Sequence, residues 1–213
     1  MLFQAQLPHF APNRAIVGSL TMAGTEAVAR ILMPAETTDE TYVSWSELTG
    51  MPVSGVTYWS ELEACSKSAR EATPPQGYVD GQTAARLVSV LARHTAPNSE
   101  FVVALSRVYC NDKIPRLPPP LALSGPESQF VVRQYADLYR CPSLTWVQDL
   151  TRDRDCHFPV AIWPVDLSWS LAAPLYSDSW YFSGSHSLYA ALVREGLEAH
   201  PVSRHDPVTA EGD

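Results

Sequence analysis

Pro159-VAIWPVDLSWSLAAPLYSDSWYFSGSHSLYAALVRE-Gly196 is the stretch whose reading decides the fold class. Apolar and aromatic residues dominate from Pro159 to Ser183, broken by turn-forming positions, and they read as two or three strands with Pro174 in a connection. From Ser185 the period changes. Leu188, Ala191 and Leu192 fall at helical spacing, Ser185 suits an N-cap, and Gly196 suits a stop. Strands that succeed one another before a helix do not follow the strict alternation of a doubly wound sheet. They predict an α+β domain with a mixed or mostly antiparallel sheet and three to four helices.

Working outward, Leu197–Val202 adds a last strand and Ser203 onward reads as a frayed polar tail. Upstream, Asp80 caps a helix that runs to His94, with Ala84, Leu87, Val88, Leu91 and Ala92 on one stripe. Glu100–Tyr109 is an apolar strand, Pro118-Pro119-Pro120 an extended connector, and Gly125–Tyr139 a short helix through Phe130, Gln134 and Leu138. Tyr58–Arg70 also has helical spacing. Glu26–Met33 reads two ways: a helix, or a strand that ends at Pro34 and pairs with Thr41–Trp45 across an acidic loop. The β-branched and aromatic second arm favours the hairpin. The expected organisation is an extension over 1–14, one domain over 15–203 and a flexible tail over 204–213.

Composition narrows the function classes. The 213 residues carry 15 Lys+Arg against 23 Asp+Glu, a net charge of −8, so a nucleic-acid backbone is not an expected partner. Met1–Asn13 has neither a basic nor an apolar region, and no run approaches the roughly 18 apolar residues of a membrane helix. A cytoplasmic protein with no membrane partner is expected. Cys65, Cys110, Cys141 and Cys156 are scattered, which fits free and mostly buried thiols; two disulfides are the other arrangement.

Several segments together resemble a group of uncharacterised proteins common in actinobacteria. They include Val28-ARILMP-Ala35, Tyr42-VSWSE-Leu48, Leu87-VSVLARH-Thr95, Trp163-PVDLS-Trp169, Trp180-YFSG-Ser185 and Leu197-EAHP-Val202, collinear from about residue 15 to residue 207. In that group the first segment reads like YARxxHPA, the fourth like WPDDRSW and the fifth like TYVGGS. This chain departs from it at Met33 (His in the group), Val165 (Asp), Leu167 (Arg) and Ser183 (Gly). The resemblance implies a fold-level relationship and leaves function open.

Candidate chemistry is sparse. Trp163 and Trp169 stand six positions apart, an even spacing that would put both rings on one face of a continuous strand. With Asp166 and Trp180 they could line a cleft for a flat or cationic ligand, with Arg30 and Tyr181 as polar groups. The other reading makes the rings core and Asp166 a turn cap. Ser185 is either a cap alone or part of an anion site at a helix N-terminus. Asp153-Arg-Asp155 reads as a solvated turn, and Cys156-His157 point apart on a strand, so no metal is expected. Glycine loops for phosphates are absent, and no cofactor is expected. The favoured reading is an acidic binding module acting through a protein partner, immunity- or antitoxin-like. The alternative is a small-molecule binder or enzyme built on the aromatic cleft.

Overall fold

A computed structural model of the protein describes residues 16–108, 120–121, 136–145, 147 and 158–208. A 3₁₀ turn at Val17–Ser19 leads into β1 (Ala27–Leu32), followed by the short β2 (Ala35–Glu36) and β3 (Tyr42–Val43). Helices α1 (Trp45–Thr49), α2 (Trp59–Cys65), α3 (Lys67–Glu71) and α4 (Gly81–Arg93) come next. Strands β4 (Phe101–Ser106), β5 (Ala136–Cys141), β6 (Ala161–Pro164), β7 (Ser170–Ala172) and β8 (Ser179–Gly184) precede α5 (His186–Arg194) and β9 (Ala199–Pro201). Seven strands form one sheet in the order β5-β4-β6-β7-β8-β1-β9, and every pairing is antiparallel. The α+β class with a mostly antiparallel sheet stands.

The two faces of this sheet differ in kind. Alternate residues Ala27, Ala29 and Ile31 of β1 point to one side with Trp180 and Phe182 of β8, and α4 and α5 cover that side with Leu87, Leu91, Leu188 and Leu192. Register sets Ala29 opposite Phe182 and Ile31 opposite Trp180, so small and large residues share the face. On the other side, Val102, Trp163, Ala172 and Tyr181 pack beneath Val17 and Leu20 of the 3₁₀ turn. That second face is polar along β7, β8 and β1, where Ser170, Ser183, Ser179 and Arg30 are all buried. A third cluster of Leu32, Ala35, Trp45, Trp59, Leu62 and Ala69 holds β2, β3 and α1–α3 together as a lobe.

Both long helices start and stop where the side chains dictate. Asp80 accepts from the Gln82 and Thr83 amides at 2.9 Å, and Ser185 from the Leu188 amide at 3.2 Å. Gly196 takes a left-handed φ of 78° just past α5, a conformation that glycine adopts without a Cβ clash.

Four readings are corrected. Glu26–Met33 does supply a strand, but β1 inserts between β8 and β9 and pairs with neither arm residue of 41–45. The small hairpin is β2 with β3, and at Ser44 the chain turns into α1 because that hydroxyl caps Glu47. Tyr58–Arg70 is two helices because Ser66 leaves helical geometry and caps α3, so the described residues hold five α-helices. Leu138 lies in β5, not in a helix. The tail is anchored as far as Val208: Ile16 bridges Pro207, and Arg204 donates to the Gly18 and Thr21 carbonyls. Phe130, Gln134, Cys110, Asp153-Arg-Asp155, Cys156-His157 and Pro118-Pro119 lie outside the described residues.

Candidate functional site

The aromatic residues do not form a cleft. Trp163, Trp169 and Trp180 are each at most 1% exposed, and they divide between the faces: Trp163 and Tyr181 on one, Trp169 and Trp180 on the other. The even spacing misleads because β6 ends at Pro164 and the chain reverses before Trp169. That turn closes with Leu167 N–H donating to the Pro164 carbonyl at 3.0 Å, and Leu167 takes a left-handed φ of 55°. Asp166 is exposed and accepts from the Ser168 amide at 3.0 Å, so it shapes the turn. Arg30 lies elsewhere, fully buried with other partners. The convergence of Asp166 and Arg30 that the cleft required is not found.

Ser185 is likewise a cap. The helix terminus it guards is further taken by the protein's own Glu26, whose carboxylate accepts from the His186 amide at 3.0 Å. A bound anion would have to displace that carboxylate. Ser185→Ala is expected to cost about 1 kcal/mol, as cap losses do, with no change at the site described next. Urea unfolding checks it, and a loss above about 2 kcal/mol would contradict a simple cap.

Arg30 is the centre of the polar arrangement that the structure does assemble. Its strand is otherwise Ala-Val-Ala-Ile-Leu, so register alone carries the guanidinium into the buried second face. There Nε donates to Ser179 Oγ at 2.7 Å, and Nη1 to the Thr57 carbonyl at 2.5 Å and the Gly55 carbonyl at 3.4 Å. Nη2 pairs with Asp178 Oδ1 at 3.1 Å. Ser179 also donates to that Asp178 oxygen, at 2.6 Å. The cation sits 5.4 Å from the Trp45 ring centroid, and Trp45 meets Trp59 edge-on at 5.1 Å.

The lobe is fastened at the same place. Glu198 accepts from the Trp45 and Ser46 amides at 2.7 and 3.0 Å, so a carboxylate from the turn entering β9 caps α1. Trp45 Nε1 donates to the Met33 carbonyl at 2.8 Å. His200 stands opposite Arg30 in the register of β9 with β1, and its Nε2 is buried without a hydrogen-bond partner. Burial lowers His200 below the ordinary imidazole range; Glu198 works against this and the Arg30 charge adds to it.

Sequence reasoning named Arg30 but missed Asp178, Ser179, Glu198, His200 and Trp45. The signal was an arginine in a strand apolar on both sides, which demands a buried carboxylate. Nothing local says which one.

Comparison with known protein families, curated proteins and solved structures yields no match.

The remaining features bear on what the site can do. Every Arg30 nitrogen is engaged, so the node reads as a clamp between sheet and lobe rather than as an open catalytic centre. Among the described residues no three of His, Cys, Asp or Glu are grouped to hold a metal. Cys141 is buried and its thiol is pushed up to about 12, whereas Cys65 is exposed; both are free. No described helix is long and apolar enough to cross a membrane.

Proposed function

We propose that this protein acts by docking its acidic lobe on a basic protein partner, as an immunity- or antitoxin-like inhibitor does, in the cytoplasm. The observation that carries the reading is where the charge lies. Residues 36–71 hold seven carboxylates against Lys67 and Arg70, a net of −5 out of the chain's −8. Asp39, Glu40, Glu47, Glu61 and Glu71 are exposed there, beside the exposed Tyr42 and Val56. Thr37 and Thr41 donate to Asp39 and hold its carboxyl below the usual range, so the hairpin tip keeps its charge.

Among the described residues outside the lobe, several carboxylates are matched internally. Asp178 pairs with Arg30, Asp137 with Arg107, Glu100 with Arg140 and Glu195 with Arg93, while Glu26 and Glu198 cap helices. The lobe thus carries a net charge of −5 with several carboxylates exposed, even with Glu71 paired to Lys67, and such a field steers a basic partner. The same field repels nucleic-acid phosphates. The likeness to the actinobacterial group is part of this proposal and supplies no partner.

Asp39→Lys with Glu47→Lys tests the reading without touching the core. The wild-type chain, used as bait in extract of the native host at low salt, is expected to retain a basic protein. The double variant should bind that protein at least tenfold more weakly, and raising salt should weaken the wild type as screening predicts. Retention that ignores both the charge reversal and salt would overturn the proposal, as would a captured partner that is itself acidic.

A further inference from the structure

We propose that His200 is a pH-sensitive latch beneath the lobe: its neutral ring lets the loop over residues 52–57 lie on β9 and Arg30, and protonation releases that loop. The inference stands on packing around the ring and holds whether or not the lobe binds a basic partner.

Three observations meet at this residue. Gly55 lies against β9 so closely that a Cβ there would collide with Val202 and sit 2.9 Å from the Pro201 carbonyl oxygen and 3.6 Å from His200 Cβ. The same loop is drawn down by Arg30, which bonds the Gly55 and Thr57 carbonyls. His200 itself is half-buried, and its Nε2 is buried and has no hydrogen-bond partner.

Neutral imidazole needs only one N–H, but imidazolium carries one on each nitrogen. The charged ring must therefore present Nε2–H to a place with no acceptor, which the neutral ring avoids by carrying its hydrogen on Nδ1. It must also hold a second positive charge opposite Arg30. The charged groups in play are Arg30 from β1, Asp178 engaged by Arg30, and Glu198 from the turn entering β9. The loop over 52–57 contributes no titratable side chain; Tyr58 and, on α1, Glu47 are the next along the chain. Glu198 favours the charged ring, but it already accepts two α1 amides, and burial and Arg30 outweigh it.

The sign follows from the lowered folded value. Stability contributed by the neutral ring is fully present above the unfolded histidine value of about 6.5 and is lost as pH falls through the folded one. Because His200 lies on the strand that Gly55 packs against, on the sheet face opposite α4, the loss should be local before it is global.

Hydrogen exchange on the full chain at pH 7.5 and pH 5.5 tests this, with protection corrected for intrinsic exchange. The Thr57 amide, bonded to the Ser54 carbonyl, reports the loop, and Leu87–Leu91 of α4 serve as reference. Loop protection in the wild type should fall severalfold relative to the reference, with about tenfold as the ceiling because pH 5.5 lies about one pH unit below the unfolded histidine value. His200→Gln and His200→Phe should each flatten that response. Two substitutions of different polarity are used so that one folded variant suffices. Equal loosening in wild type and variants, or unchanged loop protection in the wild type, would overturn the latch. Neither result depends on capturing a partner, so this inference and the proposed function fail separately.

Discussion

Arg30→Ala is expected to remove about 3–5 kcal/mol of stability, the usual cost of breaking a buried ion pair by deleting one partner. The deletion leaves Asp178 at 8% exposure with its cation gone, and strips donors from Ser179 Oγ and the Thr57 and Gly55 carbonyls. It also withdraws the charge from beneath the Trp45 ring. Arg30→Lys should rescue little. A single ammonium cannot reach Ser179, Thr57 and Asp178 in the directions that a planar fork serves at once. For a chain this size the alanine variant should melt roughly 10 °C lower. Urea unfolding of Arg30→Ala, Arg30→Lys and Asp178→Asn checks the set. A cost below about 1 kcal/mol for Arg30→Ala would show that the node does not clamp lobe to sheet. Loss of the clamp should also raise hydrogen exchange in α1 and the loop over 52–57 more than in α4, because only the former hang from Arg30 and Glu198.

Local patterns were legible where local physics decides them. Asp80 and Ser185 each announce a helix because a side-chain oxygen reaches an amide two or three residues ahead. Pro164, Asp166 and Leu167 announce a turn for a similarly short-range reason. Pairing was not legible. β1 lies between β8 and β9, some 150 residues downstream, because its alanines leave room beside Trp180 and Phe182. That is a property of two distant segments. The clamp was half visible for the same reason: Arg30 stands out in its strand, but Asp178, Glu198 and His200 become its neighbours only once β8, β1 and β9 are laid side by side. The acidic balance was visible in the count and silent about place. Only folding separates carboxylates that cap helices or pair with arginines from those left on the lobe.

The tryptophans press the same point to a measurable end. A ring in a ligand cleft can be truncated with little harm to the fold, because it borders water or ligand on one side. Trp180 has no such side. It is 1% exposed, its ring centroid lies 4.7 Å from that of Phe158, and Ile31 faces it across the β1–β8 register. Trp180→Ala would open a void where α5 and the sheet close on each other, and tightly packed neighbours recover little of such a volume. The expected cost is about 3–5 kcal/mol, comparable to the loss of Arg30 though different in origin. Origin is testable. Arg30→Ala and Trp180→Ala act on opposite faces of the sheet and share no direct partner, so their costs should add to within about half a kcal/mol in the double variant. Trp180→Phe should recover much of the loss, since an aromatic ring of smaller size refills part of the space. Full stability in Trp180→Ala, with a change confined to the binding of some aromatic ligand, would reinstate the cleft. A cooperative loss of the whole fold at lower urea fixes Trp180 as a core residue.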